Sequence, residues 1–181
     1  LSGRGILAMP PCDVVGFTTS GEHVEWPDLQ ISAVPASAEP ATGAIDHFPG
    51  LSISPTVLRP ESRGHVHIGS ANPATEPGIV FNPLSAPADR RVIAAGMRMV
   101  AQIMAQPSMQ AVLDGKADDH PEAGEDEELA AYAQRNGFAI YHAAGTCAMG
   151  VRDEAVVDPR LRVRGISGLR VADASVMPNI V

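Results

Sequence analysis

The stretch Tyr141-His142-Ala143-Ala144-Gly145-Thr146-Cys147-Ala148-Met149-Gly150 decides how the rest of this 181-residue chain is read. One imidazole stands among small residues and two glycines, after the short apolar run Phe138-Ala139-Ile140-Tyr141. Small residues let a ligand approach the backbone closely, so the chemistry is expected here, with His142 as its bearer. Downstream, Val156-Val157-Asp158-Pro159 reads as a turn. Leu161-Arg162-Val163 and Leu169-Arg170-Val171 read as strands around Gly165 and Gly168, and Asp173-Ala174-Ser175 ends in Met177-Pro178-Asn179.

Upstream of the histidine the pattern is helical. A helix is expected over about 125–135, with carboxylates crowding its start, Arg135 near its end and Asn136-Gly137 as the stop, as the helix dipole prefers. The acidic run between Asp114 and Glu128 is thus a solvated helix start rather than an acid/base pair. Before it, Val92, Ile93, Met97, Val100, Ile103 and Met104 recur at helical spacing from a Ser85 cap until Pro107 stops the run, and a short helix follows over 108–113. The methionines read as core filler.

Earlier still the period falls to two. Leu29, Ile31 and Ala33 alternate with Gln30 and Ser32, and Leu51, Ile53, Pro55 and Val57 alternate with Ser52, Ser54 and Thr56. Pro55 places the second of these strands at an edge or a bulge. Further strands are expected at 14–18, 65–69 and 79–81. His65 and His67 share one face, as two metal ligands would, but no third ligand stands nearby, and no metal is expected. His47, beside Phe48, reads as a loop residue.

Composition narrows the classes. Apolar residues are 45% and charged residues 19%, ordinary for a globular chain, whereas 17 glycines, 16 prolines and only 4% aromatics foretell many loops. A net charge of −8 makes nucleic acid an unsuitable partner. No run approaches the roughly 18 apolar residues of a membrane span. Cys12 and Cys147 lack disulfide-framework or zinc spacing, which fits a reducing compartment, so a cytoplasmic protein is expected. Gly3 and Gly5 lack the third glycine and flanking elements of a dinucleotide-binding loop. The start at Leu1 and the apolar end at Val181 suggest a chain cut at both ends.

The run from Tyr141-His142 through Gly145-Thr146-Cys147 and Met149-Gly150, then Val156-Val157-Asp158-Pro159-Arg160-Leu161-Arg162-Val163, Gly165 and Gly168 to Pro178, resembles the C-terminal part of a glucose–methanol–choline oxidoreductase. Leu58-Arg59-Pro60-Glu61-Ser62-Arg63-Gly64 is similar to the substrate domain of that family. The likeness is close over residues 50–181 and weak before them. It implies an α+β architecture, an antiparallel sheet backed by helices, with a C-terminal segment that returns to an FAD-binding domain absent from this chain. Residues 1–140 would be the substrate-binding domain and 141–181 the active-site loop and returning segment.

The resemblance further implies that FAD takes a hydride from a small-molecule alcohol while His142 takes the hydroxyl proton, work that suits an imidazole titrating near about pH 6.5. Asp173 would accept hydrogen bonds from the flavin's ribityl chain, Ala174 would contribute backbone contacts, and Ala143 would let the ring approach. Capping a turn remains the alternative for Asp173, and a packed structural role the alternative for His142. Cys147 reads as a small hydrophobe rather than a nucleophile. Ala143 stands where the family commonly has proline, Ala148 where it has arginine and Asn179 where it has threonine. The second catalytic residue would lie beyond Val181, so the isolated chain is expected to be inactive. Hydroxynitrile cleavage on the same scaffold, or a non-catalytic piece that pairs with a separate FAD-binding chain, are the rival readings.

Overall fold

The computed structural model describes residues 14–37, 44–113, 121, 124–137 and 141–180. The Gly3/Gly5 segment, Cys12, the 114–120 part of the acidic run and residues 138–140 of the apolar run before His142 lie outside the described residues. Two compact units are formed, Leu1–Leu58 with Pro87–Phe138 and Arg59–Ala86 with Ala139–Val181.

In the first unit, period-two alternation builds an antiparallel sheet from β1 (Val14–Thr18), β2 (Leu29–Val34) and β3 (Ser52–Val57), in that order across the sheet. The register pairs Leu29 with Thr18 and Val57, and Ile31 with Gly16 and Pro55. Pro55 therefore sits on an edge strand, where its missing N–H is tolerated. One sheet face carries Leu29, Ile31, Ala33, Ile53 and Pro55. The other carries Gln30, Ser32, Ser54 and Thr56, a row of hydroxyl and amide groups.

Helix α1 (Pro87–Met104) covers the apolar face, burying Asp89, Ile93, Gly96 and Val100 in the stripe its 3.6-residue period creates. Gly96 is the point of closest approach. A Cβ there would lie 2.7 Å from Pro55 Cβ and 2.9 Å from Leu29 Cδ2, so only glycine lets the helix axis come down onto the sheet. The fully buried Leu29 fills the space beneath. Toward β1 the covering is incomplete, leaving an apolar groove of about 590 Å³ between Val14, Ile31, Ile53, Met99 and Ile103.

A short α2 (Pro107–Gln110) follows, one turn where a longer helix over 108–113 was expected. Helix α3 (Asp126–Asn136) packs on α1 through buried Leu129 and Ala130. Arg98 fastens the junction, with 2.7 Å bonds from its guanidinium to Asp126 Oδ1 and to the Gly124 carbonyl. The stop expected at Asn136-Gly137 is present. Gly137 is extended (φ −82°) rather than left-handed, and its N–H donates to Ala133 O at 2.7 Å. A Cβ at Gly137 would lie 2.5 Å from that same oxygen, so glycine is required here by close approach rather than by backbone handedness.

The second unit contains the hairpin of β4 (His65–His67) and β5 (Gly78–Val80), both a little shorter or shifted from the expected runs. The expected strands at 161–163 and 169–171 exist only as single pairings, Arg162 with Arg170 and Val163 with Val157. Two glycines with positive φ, Gly165 (+80°) and Gly168 (+77°), turn the chain too tightly for a longer ladder. The apolar centre of this unit is Val157, fully buried, with Val176. Thus the α+β class and the helix-backed antiparallel sheet hold. Leu29→Ala is expected to destabilise the first unit by about 2–5 kcal/mol in urea denaturation, because α1 is braced at Gly96 and cannot collapse into the void. A loss below about 1 kcal/mol would mean that the helix shifts freely.

Candidate active site

His142 follows Tyr141, whose φ of +61° is uncommon for an aromatic residue and turns the chain sharply just before the imidazole. His142 and Ala143 are exposed, and the imidazole has no hydrogen-bond partner among the described residues. The chain then bends through Gly145 (φ +91°), and Ala148 N–H closes the bend on Gly145 O at 3.2 Å.

That bend is docked on a distant segment. Cys147 N–H donates to Ser175 O and Met149 N–H to Val176 O, each at 2.9 Å. At Gly145 a Cβ would lie 3.5 Å from Met177 O and 3.7 Å from Pro178 O, so the positive φ rather than lack of room excludes other residues. On its other side the bend is held by Ala148 O, which accepts from Val156 N at 3.1 Å. Beneath lie the side chains of Val157 and Val176. The sequence-derived candidates are thereby brought into one assembly: the loop that follows His142 and Ala143 is bonded to the segment that carries Asp173 and Ala174. Cys147 is half-buried within it and makes its bond through the backbone.

Asp173 caps the single 3-10 turn Ala174–Val176. Its Oδ1 accepts from Ser175 N at 2.8 Å and from the Ser175 hydroxyl. The Ser175 hydroxyl, with the Ser175 N–H second, holds the Asp173 carboxyl below the ordinary carboxylate range. Oδ2 has no partner among the described residues, and Asp173 and Ala174 are both exposed. A carboxylate with one oxygen fixed and one open, beside exposed backbone, fits a polyhydroxylated chain such as that of a flavin. Of the residues named from the sequence, Asp173 and Ala174 fit such a group by these features, and Ala143 by its small exposed side chain.

Asp158 is a turn residue. It accepts from Arg160 N (2.8 Å), Arg162 N (3.0 Å) and Arg162 Nε (2.7 Å). The side-chain bond from Arg162, aided by these backbone N–H groups, lowers its pKa from 3.8 to about 2. His65 and His67 lie side by side on their strand, ring centroids 4.8 Å apart and planes tilted by 39°, both exposed. Among the described residues no group of three or more His, Cys, Asp or Glu could hold a metal ion. Nor is any helix among them long and apolar enough to cross a membrane. His47 is exposed in its loop.

Sequence reasoning passed over one connection. Arg63 Nη2 donates to Asn179 Oδ1 at 3.1 Å, across 116 residues, tying the 59–64 loop to the segment that ends the site. The arginine and the asparagine each stood in a quoted motif, but nothing local in either motif indicates the other.

Residues 60–181 match the family profile described as GMC oxidoreductase. The chain is 34% identical over 179 residues to the oxygen-dependent choline dehydrogenase of Proteus mirabilis (strain HI4320), covering 99% of this chain and 32% of that protein. It is 33% identical over 180 residues to the enzyme of the same description from Paraburkholderia xenovorans (strain LB400), with the same coverage. It therefore spans about a third of the length of the curated relatives it matches. Among solved structures, pyridoxine 4-oxidase from Mesorbium loti superposes with a TM-score of 0.77 at 22% identity, covering 94% of this chain and 34% of that one, a likeness of fold alone. Formate oxidase superposes with a TM-score of 0.72 at 28% identity over 87% of this chain and 28% of that one.

The folded-state pKa of Asp158 lies below its unfolded value, so its contribution to stability is full above about pH 5 and fades as the pH falls through 4 toward 2. The stability gap between wild type and Asp158→Asn should accordingly be flat at neutral pH and close at acid pH, as thermal melts across that range would register. A gap that widens on acidification would contradict the Arg162 pairing.

Proposed function

We propose, since this chain belongs to the GMC oxidoreductase family, that it is the C-terminal part of an FAD-dependent enzyme that oxidises an alcohol to a carbonyl, with His142 as the proton acceptor. The observation that carries this reading is the docking of the loop after His142 onto the Asp173–Val176 segment by the Cys147–Ser175 and Met149–Val176 bonds. That docking ties the chain just after an exposed imidazole to the segment that carries a half-open carboxylate. Residues 1–140 would carry the substrate-binding part and 141–181 the active-site loop and the segment returning to an FAD-binding domain. The relatives described as choline dehydrogenases point to a small alcohol as substrate.

Bound FAD would supply the two-electron acceptor for the hydride leaving the alcohol carbon. The work of this chain's residues follows from their positions. His142 faces outward on a sharply turned backbone, so its lone pair can meet an alcohol O–H and take the proton as the C–H bond breaks. The docked Gly145 bend would limit where that imidazole stands, which helps to align the reacting atoms. Asp173 Oδ2 would accept a cofactor hydroxyl, its direction set by the Ser175 bonds to Oδ1. Ala143 and exposed backbone at Ala174 would form the remaining cofactor contacts.

In the full-length enzyme, His142→Ala is expected to lower turnover by about a hundredfold or more, the ordinary worth of a positioned base. Anaerobic mixing with alcohols would measure it as slower bleaching of the flavin. An unchanged rate would remove His142 from the mechanism, and cyanide release with a flavin that stays oxidised would replace oxidation by hydroxynitrile cleavage. The purified 181-residue chain is expected to be colourless and inactive, and a flavin absorption spectrum at one FAD per chain would overturn that expectation.

A further inference from the structure

Arg63 occupies an unusual junction within the second unit. Its Nη1 donates to Pro60 O at 2.8 Å and to Ser62 O at 3.1 Å, so the guanidinium plane is fixed by its own loop before it reaches outward. That loop is itself braced. Asn82, in a left-handed conformation (φ +50°), donates from Nδ2 to Arg63 O at 3.1 Å, and Ala86 N–H donates to Ser62 Oγ at 3.0 Å. From this anchored base Nη2 donates to Asn179 Oδ1 at 3.1 Å. Asn179 directly follows Met177 and Pro178, whose carbonyls face Gly145, and these follow Ser175 and Val176, whose carbonyls receive the Cys147 and Met149 amides.

We propose that Arg63 is a positioning residue for the histidine loop: it holds Asn179, and through it the 175–178 backbone on which the loop of His142 is docked. The inference rests on His142 being the proton acceptor. The physical need is plain. The docking consists of two backbone bonds, each contributing about 1 kcal/mol net, and the receiving segment has a 3-10 turn at one end. Without a fixed point at its other end that segment can swing, and the imidazole moves with it. A bond donated by a cation to a neutral amide oxygen, with the cation already oriented by two carbonyls, supplies the fixed point at little further entropic cost. Asn179 provides the planar acceptor; a threonine hydroxyl in its place has a shorter reach.

The test uses the full-length flavoprotein and the variants Arg63→Ala, Arg63→Lys, Asn179→Ala and the Arg63→Ala/Asn179→Ala pair. Arg63→Ala should lower kcat about tenfold with KM nearly unchanged, the scale of a displaced reacting group rather than a lost one. Asn179→Ala should match it, and the pair should cost no more than either alone, as residues sharing one bond must. Guanidinium ion at a non-denaturing concentration should restore part of kcat to Arg63→Ala and nothing to Asn179→Ala.

Hydrogen exchange provides the readout independent of turnover. The Cys147 and Met149 amides should exchange faster in Arg63→Ala, while the β4–β5 amides keep their protection. Faster exchange confined to β4–β5, or unchanged kcat and unchanged exchange at 147 and 149, overturns the proposal and leaves Arg63 a local brace. Should Arg63→Ala fail to fold, Arg63→Lys decides, since it keeps the charge but not the fork, and wild-type kcat and exchange in it overturn the proposal equally. If His142→Ala retains full turnover, the reading of His142 falls instead, and exchange at 147 and 149 still judges the clamp.

Discussion

Two backbone hydrogen bonds, Cys147 N–H to Ser175 O and Met149 N–H to Val176 O, are the constraint on which the candidate site depends. Neither is strong by itself, since a backbone bond gained on folding replaces one made to water. Their effect comes from company. Val157 is fully buried below them, Val176 nearly so, and Ala148 O takes up the Val156 N–H on the far side. Burial of those two valines contributes more than the bonds, and the bonds set the register in which the burial occurs. Shift the bend by one residue and Gly145, the position whose φ of +91° suits glycine, leaves the turn.

The first unit solves a different problem by similar means. A helix can bury its stripe against a sheet only if some residue lets the two backbones approach, and Gly96 is that residue, seated on Leu29 and Pro55. With α1 occupying the apolar face, the opposite face is left to Gln30, Ser32, Ser54 and Thr56. A polar sheet face beside a covered apolar one follows directly from strict alternation along β2 and β3. The same alternation that makes the core thus also makes the polar outer face.

How much of this was legible in the sequence depended on the range of the interactions. β2 was readable from Leu29, Ile31 and Ala33 because alternation is a local property. α1 was readable because Ile93 and Val100 recur at helical spacing and Pro107 ends the run. Local rules failed where the outcome depended on partners. Gly137 stops the helix as its sequence indicates, but the proximity to Ala133 O that requires glycine there is visible only in the fold. The runs 161–163 and 169–171 have strand composition, but the turn between them leaves room only for single pairings. Arg63 and Asn179 lie 116 residues apart, and no period or motif rule connects them.

Asp173 shows how a choice posed by sequence dissolves in the geometry. Capping a turn and contacting a cofactor need not exclude each other in a carboxylate. It has two oxygens, and in this structure Oδ1 serves Ser175 while Oδ2 faces outward with no partner among the described residues. The Ser175 bonds also favour the charged form, so the open oxygen remains a full acceptor below the ordinary carboxylate range. The cap is therefore what would make Asp173 useful to a ligand, since it fixes the carboxylate plane before anything binds and removes an ordering cost that a free side chain would pay.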